Sequence, residues 1–138
     1  MVKWILLMAA VVSSQAAPTV VERDRREFEE FWAETLKDQS IAKPPKDAAW
    51  KLYVWSQGQF VLGYCSQFIS ADAAEEMRTL PNEREMMETE VGRSIVQSGK
   101  DLFKSGMEFR NEVKPTAAIC KKELAERGEV FAAISTSP

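Results

Sequence analysis

Apolar positions along this chain recur with the period of a helix, and nowhere with the strict alternation of a half-buried strand. The densest apolar stretch is 50–69, WKLYVWSQGQFVLGYCSQFI. On a helical projection Trp50, Tyr53, Val54, Val61, Tyr64, Cys65 and Phe68 fall on one face. Trp55, Leu62 and Ile69 form a second stripe roughly 100° away. A helix that is apolar on two sides needs partners on both, so the pattern predicts a central helix. It starts near Ala48, with Asp47 as its cap.

The segments around it read the same way. Thr19 and Glu22 have the spacing of a capping box, and Phe28, Phe31, Trp32 and Leu36 then mark one face of a helix over 20–37. Arg23, Arg25 and Arg26 lie near its N-terminus, where the helix dipole disfavours cations, so its first turns are expected to fray. Pro44-Pro45 ends the connection that follows. A second cap pattern, Asp72 with Glu75, opens a short continuation through Met77 and Leu80, and Pro81-Asn82 breaks it. From Glu83 to about Val113 the chain repeats in sevens, VGRSIVQ, SGKDLFK, SGMEFRN. Gly92, Gly99 and Gly106 recur in register, each followed three residues later by Ile95, Leu102 or Phe109. Interior glycines cost up to ~1 kcal/mol each in a helix, a loss that close packing on a neighbour offsets. An unbroken helix of that length is too long for so small a domain, so a kink at a glycine or a protruding end is expected. A last helix is expected over 115–127, with Ala117, Cys120 and Leu124 inward and Gly128 as its stop. Val130, Phe131 and Ile134 follow as a final packed turn, and 135–138 as a disordered tail. The fold class is all-α: a single-domain bundle of four or five helices.

The N-terminus changes the picture of compartment. Lys3, the short apolar run WILLMAAVV and the small residues SSQAA have the layout of a signal peptide over 1–16, with cleavage before Ala17. The mature chain, 17–138, is then expected to be exported, to a periplasm or the extracellular space. No later run is long and apolar enough to be read as a membrane span. In an oxidising compartment the only two cysteines, Cys65 and Cys120, read as one disulfide, with free or intermolecular thiols as the alternative. Each lies on the apolar stripe of its own helix, which favours the bridge.

Charge and chemistry narrow the function classes. Without Lys3 the 18 basic residues become 17 against 21 acidic ones, a formal charge of −4 with no basic stripe. That argues against nucleic acid and anionic lipid as partners. The chain has no histidine, so Ser-His and Cys-His nucleophiles and histidine metal sites are ruled out. No cofactor or metal motif is present. Met77, Met86, Met87 and Met107 are too scattered to suggest a thioether copper site. The acids Glu75, Glu76, Glu83, Glu85, Glu88 and Glu90 admit a hydrolase built on paired carboxylates only if two of them face each other across a cleft.

Gln57 is the most informative polar residue, at the centre of the Trp50–Tyr53–Tyr64 face. A polar group there is either hydrogen-bonded in the core or lines an aromatic cleft formed by Trp50, Tyr53, Gln57 and Tyr64. Exposed Trp32 or Trp55 would instead mark a protein interface. The resulting expectation is a non-enzymatic protein that binds another protein, with the carrier of a small amphipathic ligand as the alternative.

Overall fold

The computed structural model describes residues 19–80 and 82–135, with side chains through Gly128. All regular structure among them is helical, in five helices and two isolated turns. The helices are α1 (Val20–Leu36), α2 (Lys46–Tyr64), α3 (Ala71–Arg78), α4 (Glu90–Phe109) and α5 (Ala117–Ser135). A 3-10 turn at Ser66–Phe68 follows α2, and a single helical turn at Glu83–Met86 precedes α4. The expected signal peptide over 1–16, the residues 136–138 of the expected tail and the packing of Val130, Phe131 and Ile134 lie outside the described residues and side chains. Ser135 is the last helical residue rather than part of a tail.

α1 starts on the capping box: the Glu22 amide donates to Thr19 Oγ1 at 3.1 Å, and the Thr19 amide to Glu22 Oε2 at 3.4 Å. Arg25 is not left as a lone cation near the helix start. It pairs with Glu29 at 2.9 Å, and its guanidinium lies 5.5 Å from the Phe28 ring centre and 4.9 Å from that of Trp50. α1 and α2 form an antiparallel hairpin in which Phe28, Trp32, Trp50 and Tyr53 stack across the interface at centroid distances of 5.4–6.3 Å. This aromatic layer continues through Leu52, Val54 and Trp55 to Met86, Val91, Ile95 and Val96 as the main core.

α2 is buried on nearly every side, as a helix with partners all round must be. It starts at Lys46 behind Pro45, and no side chain caps it, so Asp47 is a first-turn residue and not the cap. It ends at Tyr64, and the 65–69 part of the apolar run continues as the 3-10 turn.

Its largest contact by far is with α4. The two run parallel: the Val91 amide donates to Ala42 O, the Trp55 ring lies over Gly99, Gly106 lies on the Phe60 carbonyl, and Arg110 donates to Ser66 Oγ. Their backbones touch. A β-carbon at Gly106 would overlap the Phe60 carbonyl oxygen and sit 2.9 Å from the Tyr64 nitrogen. One at Gly63 would overlap the Phe103 carbonyl oxygen and sit 3.2 Å from the Met107 nitrogen. This reciprocal glycine contact is the close packing that the interior glycines were expected to serve. α4 runs its 20 residues, about 30 Å, without interruption through all three glycines. The break falls earlier, at 87–89, where Thr89 Oγ1 accepts from the Gly92 amide and restarts the helix.

α5 comes back along the other side. Thr116 caps it, accepting from the Ile119 amide at 3.2 Å. The Cys65–Cys120 disulfide, with Cα atoms 5.6 Å apart, fastens it to the end of α2. Both cysteines are fully buried in a second cluster with Val61 and Tyr64, flanked by Phe60, Phe109 and Leu124. One turn beyond Leu124, Arg127 donates to Asp24 Oδ2 at 2.7 Å, a buried ion pair that joins α5 to α1. Two expectations fail here. Ala117 is exposed, and Gly128 does not stop the helix, which continues to Ser135. A single interior glycine costs about 1 kcal/mol, less than an otherwise favourable helix gains.

Candidate functional site

Between Cys65 and Glu90 the chain must return to the start of α4, and α3 lies on that return path against α2. Ser70 caps α3 by accepting from the Ala73 amide, so the expected Asp72 cap is displaced by two residues. Asn82 has left-handed backbone (φ 51°) and makes no side-chain cap for the turn that follows. The C-terminal end of α3 is held from below. Helix ends leave carbonyls without intrahelical donors, and here two α2 side chains supply them. Trp55 Nε1 donates to Arg78 O at 3.1 Å, and Gln59 Nε2 donates to Met77 O at 2.9 Å and to Trp55 O at 3.1 Å.

The clamp leaves a cleft of about 490 Å³ bounded by α2, the end of α3, Thr79, Leu80 and Glu83, and α4. Trp55, Val96, Phe103 and Leu80 give it an apolar lining, with Gln59 among them. Charged side chains stand at the mouth: Glu75, Arg78, Glu83 and Lys100. Glu75 and Arg78 approach each other at 3.5 Å, an exposed pair of little energetic weight. Gly99 lets the Trp55 ring come close against the α4 backbone, because a β-carbon there would overlap the ring and come 2.8 Å from Cη2.

Trp50, Tyr53, Gln57 and Tyr64 do not build this cleft. Trp50 is core. Tyr53 is half-buried, donates to Glu27 Oε2 at 3.3 Å, and has its phenol pushed above its ordinary value by burial and then by the Glu27 charge. Tyr64 belongs to the disulfide cluster, 5.3 Å from the Phe109 ring, and Gln57 is half-buried. Neither Trp32 nor Trp55 is exposed; each keeps 7% of its surface. The residue missed was Gln59. It lies on the second stripe of α2, between Trp55 and Leu62, so the reasoning that singled out Gln57 applies to it with more force.

All six glutamates of the acidic segment are exposed, and Glu75 and Glu83 are the two at the cleft. None is buried in an apolar pocket. Met86 is core, whereas Met87 and Met107 are exposed. Among the described residues no group of three carboxylates or cysteines is arranged to hold a metal ion, and no helix is long and apolar enough to cross a membrane. No protein-family model matches the chain, and no curated protein or solved structure is similar to it.

Proposed function

We propose that this protein is a non-enzymatic carrier of a small amphipathic molecule held in the α2–α3–α4 cleft. The observation behind this reading is the cleft itself. Its size falls in the ~300–1,000 Å³ range of small-ligand sites, and it joins an apolar lining to one buried amide and a charged mouth. An apolar ligand body would cover Trp55, Val96 and Phe103 while its polar end reached Gln59 or solvent. Native mass spectrometry of the chain recovered from the cells that make it tests the proposal. The expected result is an adduct of a few hundred daltons, lost on mild activation and absent from Thr79→Trp, which sets an indole across the mouth. A bare mass in the wild-type chain, with no small molecule perturbing Trp55 in a screen, would refute it.

Protein binding is the second reading, and it rests on a different region. The disulfide brings Phe68 and Ile119, 41% and 43% exposed, to the same end of the molecule. Concentration-dependent association in analytical ultracentrifugation, abolished by Phe68→Ser with Ile119→Ser, would support it. A monomer at all concentrations that retains no partner from the exported fraction would remove it.

Export is part of the proposal, because the fully buried disulfide suits an oxidising compartment. Mass spectrometry of the mature chain should find Ala17 at its N-terminus. An intact Met1 in cytosolic protein would overturn this part.

A further inference from the structure

The cleft has a polarity of its own, and it comes from Gln59. This side chain sits in a protein interior with 3% of its surface exposed. Both of its strong contacts are donated by Nε2, to the Trp55 and Met77 carbonyls. Two carbonyl acceptors on one side of an amide fix which end is nitrogen. That leaves Oε1. Among the described residues no group donates to it, and no buried side-chain nitrogen or oxygen lacks a partner. Oε1 therefore opens onto the cleft that Gln59 lines. The other polar atom of the lining that could point inward as a donor, Trp55 Nε1, is already used on Arg78 O. Thr79 Oγ1, at the edge, is likewise used on Glu75 O.

The floor thus presents an acceptor and no donor. The carbonyl end of α3, the negative end of its dipole, adds to the same sign. An anionic head group placed there would meet an oxygen, with no cation nearer than the mouth. An ammonium would lose its hydration among Trp55, Val96 and Phe103 for a single hydrogen bond. A neutral group carrying one O–H satisfies the site at least cost.

We infer that the cleft selects an uncharged aromatic or alicyclic alcohol, a phenol-like molecule whose hydroxyl donates to Gln59 Oε1 while its ring lies against Trp55. This rests on the carrier reading above and gives it a ligand class. Sites that hydrogen-bond a ligand hydroxyl discriminate strongly against analogues that lack it, because the buried partner is then left unpaired.

The test is a two-dimensional 1H–15N titration of the full, oxidised chain, following the Trp55 indole and Gln59 side-chain amide signals. The probes are 4-methylphenol, 4-methylanisole and 4-methylbenzoate. The phenol is expected to shift both signals saturably, the ether to bind at least tenfold more weakly, and the benzoate to leave them unmoved. Equal affinity for phenol and ether, or tighter binding of the benzoate, overturns the donor selectivity and leaves the carrier reading standing. If none of the three moves either signal, the carrier reading falls as well. Gln59→Met should bring the phenol-to-ether ratio close to one; should that variant fail to fold, the wild-type ratio decides alone.

Discussion

Replacing glycine by alanine should change stability with opposite sign at two positions of this molecule. Each substitution gains about 1 kcal/mol of helix propensity. At Gly128 nothing lies within 4 Å of the new methyl group, so Gly128→Ala should keep that gain. At Gly106 the methyl overlaps the Phe60 carbonyl oxygen and approaches the Tyr64 nitrogen to 2.9 Å. These are backbone atoms of a packed helix and cannot rotate away. Restoring ordinary contact distances requires α2 and α4 to separate by about 1 Å, which forfeits up to half of the dispersion attraction across a contact. Overpacking of this kind costs about 1–3 kcal/mol and sometimes more. Taking ~3 kcal/mol, because the clash is backbone on backbone, and subtracting the propensity gain leaves Gly106→Ala about 2 kcal/mol less stable. At roughly 4 °C per kcal/mol for a domain of this size, its melting point should fall by about 8 °C, while that of Gly128→Ala rises by about 4 °C. Urea unfolding followed by circular dichroism at 222 nm, with thermal melts alongside, measures both. A Gly106→Ala protein as stable as wild type would refute the close-contact argument, and so would equal shifts of the same sign in the two variants.

Reducing the disulfide, or replacing both cysteines by serine, should cost up to about 4 kcal/mol, given a sequence separation of 55 between them. Thiol titration of the native chain should find no reactive thiol until it is unfolded under reductant. Asp24→Ala leaves the Arg127 guanidinium buried without its partner and should cost about 3–5 kcal/mol in urea unfolding, whereas Asp24→Leu with Arg127→Met should recover most of that. At alkaline pH the Tyr53 phenol ionises later in the folded chain than in the unfolded one, because burial and Glu27 oppose its charge. The stability it contributes is therefore complete below the ordinary phenol value of 10.0 and lost as pH rises above it. Tyr53→Phe should flatten that decline in melts taken across pH 9–11, and an unchanged slope would count against the assignment.

Of the local signals in the sequence, the capping box carried through, while the caps read at Asp47 and Asp72 did not. Thr19 and Glu22 need only each other, and their box is in place. The pairing of Cys65 with Cys120 was legible because both lie on apolar stripes and no other thiol competes. The glycines show the limit of such reasoning. Propensity treats Gly92, Gly99, Gly106 and Gly128 alike, yet Gly106 touches another backbone and Gly128 faces open space. That difference exists only once α2 and α4 are set side by side. The same applies to the two glutamines. Gln57 and Gln59 are equally polar in a list of residues, but only Gln59 faces the free carbonyls of α3, whose position depends on a return path the hydrophobic pattern does not encode. The expected cleft was therefore placed on the wrong side of the right helix.

The parallel course of α2 and α4 has an evolutionary corollary. Two neighbouring rods pointing the same way oblige the polypeptide to double back, and here the returning piece doubles as one wall of a recess. It is hydrogen-bonded to α2 by an indole and an amide that address main-chain oxygens, so its own side chains contribute nothing to those two bonds. The exposed positions of 71–80 are thus free to vary in identity without loosening those two attachments, whereas Leu80 packs on the core. A lineage could retune what the recess admits by rewriting this one short span while the glycine seam stays as it is.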